Sequence, residues 1–173
     1  MPDPENQADI IRENMAKAIA YIPWAKETGF ELCSFTKDRV SGKINWRESL
    51  IGDPETGVIH GGAITSLLDS LAGMAVIAAL NTFKSTATLD LRIDYMRPAR
   101  KGLTIYGEAE CYHMTRTIAF IRGRAYHEED DKTIATATGT FALNRIENWS
   151  TGKHVADNPQ SASAKSEKAP SDD

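Results

Sequence analysis

The residues that decide the fold are 61–80, GGAITSLLDSLAGMAVIAAL, which directly follow His60. This stretch is apolar almost all round, and Asp69 is its only charged residue. A helix with so few charges is normally buried on most of its sides. We therefore expect residues 61–80 to form a helix at the centre of the domain.

Segments typical of β-strands lie on both sides of this helix in the sequence. They are rich in β-branched and aromatic residues, or they alternate between apolar and polar side chains. The predicted strands are Phe30–Phe35, Val40–Trp46, Thr86–Met96, Leu103–Tyr112, Thr117–His127 and Thr133–Asn144. We expect the first two to pair as a hairpin and the last three or four to form a meander. Strands grouped around one apolar helix indicate an α+β fold, in which one antiparallel sheet curls around a long central helix.

The two ends of the chain differ from this middle part. Residues 5–22 place apolar side chains such as Met15 and Ile19 near one face, which predicts an amphipathic helix that covers the domain. Residues 148–173 are rich in Ser, Ala, Lys and Asp without periodicity, which predicts a disordered polar tail. The domain itself is expected over residues 23–147, with residues 1–22 as its N-terminal helix.

The composition limits the classes of function. The chain has 173 residues, enough for one domain, and a formal net charge of -4, which argues against general affinity for nucleic acid. No basic region followed by an apolar run marks the N-terminus, and the apolar stretch Leu71–Leu80 is shorter than the about 20 residues that span a bilayer. We expect a cytoplasmic protein with no nucleic-acid or membrane partner. Cys33 and Cys111 show no metal-ligand spacing, which favours small buried apolar side chains.

The start of the predicted helix carries a candidate site. Gly61 and Gly62 leave the backbone open to a ligand because they have no Cβ. The first N–H groups of a helix have no intrahelical partner and lie at the positive end of the helix dipole, so they suit an anion or a developing oxyanion. Asp69 follows Gly62 by seven residues, close to two turns at about 3.6 residues per turn, so both project from the same face. Thr65 and Ser66 lie near this stripe.

Simpler interpretations of the same residues stay open. Asp69 can be a carboxylate that a neighbouring strand or a second subunit satisfies, since an unpaired buried charge is costly. His60 can serve only as a helix cap or as a loop residue. The Gly61-Gly62 pair can serve only to make a turn.

Two segments together resemble a known family. Residues 57–69, GVIHGGAITSLLD, are similar to the signature of the PaaI-like (phenylacetate-degradation type) hotdog thioesterases, in which an acid follows the His of His-Gly-Gly by nine residues. Residues 88–99, TLDLRIDYMRPA, resemble the strand that follows the helix in that family. The resemblance covers roughly residues 20–145.

The resemblance implies a hotdog subunit that hydrolyses acyl-CoA thioesters with no metal and no organic cofactor. It implies dimers whose sheets join edge to edge, tetramers built from those dimers, and active sites at the subunit interface. By position, Asp69 is the nucleophile or general base, and the Gly62 backbone N–H polarises the thioester carbonyl. His60 orients that carbonyl or the loop, and Thr88 matches a Ser/Thr that assists the attacking water in some members.

The chain departs from the family in the loop GDPETG, residues 52–57. Many members carry an Asn or Gln about six residues before the His, where this chain has Asp53-Pro54-Glu55. Either acid can substitute for that helper, or the helper is absent.

The phosphates of CoA call for basic side chains. We expect Arg97, Arg100 and Lys101, which follow the strand after the helix, to contact them, and we expect Gly61 and Ser66 to contact substrate as well. Further arginines lie on or before a later predicted strand, at Arg116, Arg122 and Arg124. For each of these basic residues, an ordinary solvated surface is the alternative.

Two other functions stay open. A non-catalytic acyl-CoA binding or regulatory module would keep the groove and lack turnover. An acyl-thioester dehydratase or hydratase would use a His as base, but the spacing from His60 to Asp69 favours the thioesterase. The acyl group, and the choice between dimer and tetramer, are not decided by the sequence.

Overall fold

The computed structural model describes residues 21–82 and 86–143, together with positions 13–15, 17 and 19. Within residues 21–82 there are two α-helices, α1 (Pro23–Thr28) and α2 (Gly61–Leu80), and a short 3-10 helix spans Glu48–Leu50. The strands are β1 (Phe30–Phe35), β2 (Val40–Ile44), β3 (Ile51–Asp53), β4 (Val58–Ile59), β5 (Ala87–Tyr95), β6 (Ile105–Met114), β7 (Ile118–Tyr126) and β8 (Thr133–Ala142).

Six of these strands form one antiparallel sheet in the order β1-β2-β6-β7-β8-β5. β1 and β2 pair as the predicted hairpin, and β6, β7 and β8 form the meander. β5 pairs with β8 and does not precede β6 in the sheet, so the meander has three strands. β2 takes the position beside β6, with Val40 opposite Ala109 and Ile44 opposite Ile105, which sends β5 to the far edge.

The loop over residues 52–57 contains structure that the sequence did not predict. β3 and β4 pair as a separate short hairpin, with Ile51 opposite Ile59. Gly57 has a φ of 70°, a left-handed conformation that favours glycine at the end of the turn. The Leu50 carbonyl accepts the His60 N–H at 2.8 Å, so this hairpin is fastened to the start of α2.

α2 packs against one face of the sheet, as its lack of charge indicated. Leu67, Leu68 and Leu71 are fully buried, and burial of a leucine side chain stabilises a fold by about 1.5–3 kcal/mol. Gly107 on β6 permits this close packing, because a Cβ there would lie 2.7 Å from Leu71 Cδ1. The predicted α+β arrangement, with an antiparallel sheet around one long central helix, is confirmed.

By length and composition α2 could also cross a membrane. In the structure, however, more than half of its most apolar window is buried inside the fold. The helix therefore has the surroundings of a core helix.

The N-terminal segment is described only in part. Positions 13–15, 17, 19 and 21 have helical backbone, and Met15 and Ile19 are buried in the main core. Ile22 is non-helical and exposed at the junction with α1. The predicted tail, residues 148–173, lies outside the described residues.

The expectation of two buried cysteines is wrong for Cys33. Its side chain is exposed on β1, and Cys111 is half-buried on β6. The pattern of β1 explains this, because Phe30, Leu32 and Phe35 are the β1 side chains that pack against the core.

Candidate active site

A hydrogen bond joins the edge strand β5 to the central helix. Thr88 Oγ1 donates to Asp69 Oδ1 at 2.9 Å. Asp69 is half-buried, and among the described residues its other carboxylate oxygen has no hydrogen-bond partner. A neighbouring strand thus satisfies one oxygen of the carboxylate, and the other oxygen stays open within the described part of the chain.

A β-bulge lets Thr88 reach Asp69. The β5–β8 register shifts between Thr88 and Asp90, so strict alternation is broken at Leu89, which is 58% exposed. After the bulge, Leu91 and Ile93 pack against the main core. Thr88 therefore points towards α2 on the same side as these residues, although plain alternation assigns it to the opposite face.

His60 caps the start of α2. Its Nδ1 atom accepts the Gly62 N–H at 2.9 Å, so this ring nitrogen carries no proton. Within the described residues, the Gly61 N–H has no acceptor. His60 is thus a helix cap, and of the two N–H groups it is Gly61 that is open, whereas Gly62, the predicted donor, is engaged.

The glycine pair makes room for two side chains. A Cβ on Gly61 would lie 3.0 Å from the Tyr95 hydroxyl oxygen, and a Cβ on Gly62 would lie 2.9 Å from His60 Nδ1. Both distances are short for carbon, so alanine at either position would displace its neighbour. The pair therefore does more than open the backbone to a ligand.

Tyr95 is a site residue that the sequence analysis missed. Its hydroxyl donates to the Gly61 carbonyl oxygen at 2.7 Å and lies 2.7 Å from Thr65 Oγ1. Because the phenol proton goes to the carbonyl, the Thr65 hydroxyl donates to the phenol oxygen. The available signal was the end of the alternating strand at Tyr95, but nothing in the sequence specified which part of α2 it contacts.

An open groove of about 340 Å³ begins at this corner of the molecule. Gly61, Tyr95 and Arg97 line it, together with apolar residues that include Ile59 and Ile64. Of the three basic residues predicted to meet CoA, Arg97 is the one on this groove.

The other two basic residues lie close to the groove. Arg100 places its guanidinium 3.4 Å from an Asp130 carboxylate oxygen, and its backbone N–H donates to Nε2 of the buried His127 at 2.9 Å. The hydrogen bond from the Lys132 N–H and, to a smaller extent, the positive charge of Arg100 hold the pKa of the Asp130 carboxyl below its usual value. The Lys101 side chain lies against Gly57, at the end of the loop before His60.

Ser66 faces away from this groove. Its hydroxyl accepts the indole N–H of Trp24, and both residues border a small apolar cavity beneath α1. The structure thus gives the Ser66 hydroxyl a partner within the protein and separates it from Gly61.

The loop before His60 gives Asp53 partners within its own turn. Asp53 accepts the Thr56 hydroxyl at 2.5 Å and the Glu55 N–H at 3.0 Å, which closes the turn between β3 and β4. These bonds hold the pKa of the Asp53 carboxyl below its usual value, and the bond from Thr56 contributes most. Asp53 is therefore a turn residue, and Glu55 is exposed beside it.

Arg122 and Arg124 lie elsewhere, on the sheet face opposite α2. Arg122 pairs with Glu110, and Arg124 pairs with Glu108 at 2.8 Å. Their charges are thus compensated on the outer surface. Within the described residues, no cluster of three or more His, Cys, Asp or Glu is placed to hold a metal ion.

The antiparallel sheet around one long central helix is a hotdog fold, and relatives named as acyl-CoA thioesterases place this chain among the thioesterases. The sequence profile of the Thioesterase superfamily matches residues 56–134. The chain belongs to this superfamily. The resemblance drawn from the His-Gly-Gly segment and the strand after the helix is thereby confirmed.

Individual relatives and solved structures resemble this chain in sequence or in fold. The medium/long-chain acyl-CoA thioesterase YigI of Salmonella typhimurium is 28% identical over 138 residues, which cover 72% of this chain and 88% of the relative. A crystal structure of a Pseudomonas aeruginosa protein has 35% identity and a TM-score of 0.69, and covers 76% of this chain and 98% of that chain. The PaaI protein of Escherichia coli, from the phenylacetic acid degradation operon, shares the fold at 18% identity with a TM-score of 0.69, over 81% of this chain and 95% of that chain.

Proposed function

We propose that the protein hydrolyses acyl-CoA thioesters to a free acid and CoA, at a site built from Asp69, Thr88 and the start of α2. The observation that carries this proposal is the 2.9 Å bond from Thr88 to Asp69, which holds a half-buried carboxylate on the face of α2 that begins at Gly61. The name of the YigI relative supports the substrate class.

The thioester carbonyl is proposed to bind at the helix start. Hydrolysis places negative charge on the carbonyl oxygen in the transition state, and one preorganised donor contributes about 3 to 4 kcal/mol there. The Gly61 N–H is open for this role. The Gly62 N–H becomes a second donor when the His60 ring turns away, or when this N–H is shared between His60 Nδ1 and the thioester oxygen. His60 therefore controls the second hydrogen bond.

Asp69 then drives attack by one of two routes. As a nucleophile it attacks the carbonyl carbon, CoA leaves as a thiolate that takes up a proton, and water hydrolyses the mixed anhydride. As a general base it takes a proton from the water that attacks the same carbon. In a single turnover in ¹⁸O-labelled water, label in the Asp69 carboxylate identifies an anhydride that is hydrolysed at its Asp69 carbonyl, whereas attack of water at the acyl carbon labels the product acid on either route.

The phosphates of CoA are proposed to lie along the groove beside Arg97, with Arg100 and Lys101 near its end. Arg97 lines the groove next to Gly61, and Arg100 shares its charge with Asp130 at 3.4 Å. This arrangement favours Arg97 as the main phosphate contact.

A second copy of the chain is proposed to pair with β5. This strand is the sheet edge beyond β8. Two large apolar side chains, Leu89 near its start and Met96 just after its end, are 58% and 57% exposed. An edge strand with exposed apolar residues is a template for pairing with another chain. Light scattering tests this, since Leu89→Lys should shift a dimer or tetramer towards monomer. An assembly unchanged by that substitution contradicts pairing through β5.

The cellular site is proposed to be the cytoplasm.

Medium- and long-chain acyl-CoA esters are the first substrates to test, because the YigI relatives carry that name. Arylacetyl and benzoyl esters belong in the same panel.

The central experiment measures free CoA released from such a panel by the wild type and by Asp69→Asn. We expect hydrolysis by the wild type and loss of turnover in Asp69→Asn with acyl-CoA binding retained. Asp38→Asn is the matched control, because Asp38 is exposed between β1 and β2. Full activity of Asp69→Asn would exclude Asp69 as both nucleophile and general base.

One observation favours a second candidate, a non-catalytic acyl-CoA binder. The loop position that often carries an Asn or Gln helper is occupied here by a turn closed through Asp53. Tight binding of acyl-CoA by the wild type, without CoA release from any member of the panel, would establish the binder and exclude the enzyme.

A further inference from the structure

The peptide unit between Gly61 and Gly62 is held at both of its ends. Its carbonyl oxygen accepts the Tyr95 hydroxyl at 2.7 Å, and its N–H donates to His60 Nδ1 at 2.9 Å. This peptide carries one of the N–H groups proposed to face the thioester carbonyl. Its orientation therefore decides where that donor points.

The bond from Tyr95 is not needed to satisfy the backbone. Gly61 is the first residue of α2, so its carbonyl already accepts the N–H of Thr65 four residues on. Tyr95 uses the second lone pair of the same oxygen, and the Thr65 hydroxyl in turn lies 2.7 Å from the phenol oxygen. The result is a chain of hydrogen bonds from Thr65 through Tyr95 to the peptide.

This chain has an electrostatic consequence. Hydrogen bonds in series polarise one another, so a peptide whose carbonyl accepts an extra bond has a stronger N–H donor. The missing Cβ of Gly61 makes the contact feasible, because the Tyr95 hydroxyl oxygen would lie only 3.0 Å from it. Tyr95 is itself 51% exposed and lines the groove, so the contact sits beside the space where substrate is proposed to bind.

We propose that Tyr95 is a positioning residue for thioester hydrolysis, which orients and polarises the Gly61–Gly62 peptide, whose N–H is the second donor proposed to bind the carbonyl oxygen beside the Gly61 N–H. The inference rests on the proposed function. It gives β5 two tasks at its two ends, since Thr88 bonds the carboxylate of Asp69 and Tyr95 bonds the peptide that carries the second donor.

The test compares Tyr95→Phe with Tyr112→Phe by steady-state kinetics on the best acyl-CoA of the panel. Tyr112 is a matched control because it is 54% exposed on β6 and lies against Phe120, away from α2. We expect kcat of Tyr95→Phe to fall by about tenfold with little change in KM, which is less than the roughly 100- to 1000-fold loss when an oxyanion donor itself is removed. Tyr112→Phe should keep the wild-type kcat.

Two further readouts separate positioning from a general structural role. In an Asp69→Asn background, the infrared carbonyl stretch of bound acyl-CoA labelled with ¹³C should move to higher frequency when Tyr95→Phe is added. Thr65→Val should lower kcat less than Tyr95→Phe does, and the double variant should match Tyr95→Phe alone, because Thr65 acts through Tyr95.

The outcomes are distinct. A wild type that hydrolyses acyl-CoA together with an unchanged kcat and carbonyl frequency in Tyr95→Phe overturns the role of Tyr95 alone. The role is also overturned if kcat of Tyr95→Phe falls together with its thermal stability while its KM rises and the carbonyl frequency stays constant. Absence of hydrolysis by the wild type overturns the proposed function and the role of Tyr95 with it.

Discussion

Thr88 donates a 2.9 Å hydrogen bond to Asp69 although strict alternation along β5 would turn its side chain away from α2. The bulge at Leu89 reverses the alternation at this point. The carboxylate is thus held by a neutral donor and keeps one oxygen without a partner among the described residues. This relationship explains how a charged residue is accommodated on an otherwise apolar helix.

Replacement of Thr88 by Val should lower kcat while the fold is retained. The hydroxyl donates to a carboxylate, and bonds to charged groups contribute about 1.5–3 kcal/mol, so we expect a loss of about tenfold or more. Thr88→Ser should keep most of the activity, because it keeps the donor. Thr138→Val, on exposed β8 surface, is the control. Equal activity of Thr88→Val and the wild type would show that the bond does not serve catalysis.

Replacement of His60 by Ala should destabilise the protein and reduce activity together. The imidazole accepts the Gly62 N–H, and loss of a helix cap costs about 0.5–2 kcal/mol. His60→Asn should restore stability, since Asn is a good N-cap, without restoring the imidazole at the site. Thermal unfolding and kcat of the two variants measure this. Unchanged stability of His60→Ala contradicts the capping role.

Replacement of Arg97 by Ala should raise KM for acyl-CoA and leave kcat nearly unchanged. Arg97 lines the groove beside Gly61, and an exposed charge contact with phosphate weakens as salt screens it. The effect on KM should therefore shrink at high ionic strength. Arg116→Ala serves as control, because Arg116 lies in the turn between β6 and β7. A KM that does not change in Arg97→Ala excludes this residue from CoA binding.

Two glycines should respond to Ala in opposite ways. A Cβ on Gly107 would lie 2.7 Å from Leu71 Cδ1, so Gly107→Ala should destabilise the fold by about 1–3 kcal/mol through overpacking. A Cβ on Gly73 would meet Phe141 at an ordinary 3.6 Å, so Gly73→Ala in α2 should stabilise the fold by up to about 1 kcal/mol. Chemical denaturation measures both. A stabilised Gly107→Ala would mean that α2 lies farther from β6 than the structure places it.

The parts of the site that lie on one element were predictable from the sequence. Gly62 and Asp69 share a face because helical spacing alone determines it. The partners of that face were not predictable in the same way. Thr88 came from the family resemblance, and Tyr95 was missed, since its contact with Gly61 joins residues that are 34 positions apart. The assignment of Ser66 to substrate failed to anticipate Trp24, because α1 and α2 meet only after the chain folds.

The sequence by itself determined that residues 61–80 form a buried helix, that strands surround it, and that one carboxylate interrupts its apolar surface. Local periodicity and side-chain chemistry suffice for these features. Only the tertiary structure decided that β5 lies at the sheet edge beside β8, that a bulge turns Thr88 inward, and that Tyr95 holds the first peptide of the helix. Strand order and register depend on contacts between distant residues, which hydrophobic pattern constrains but does not specify.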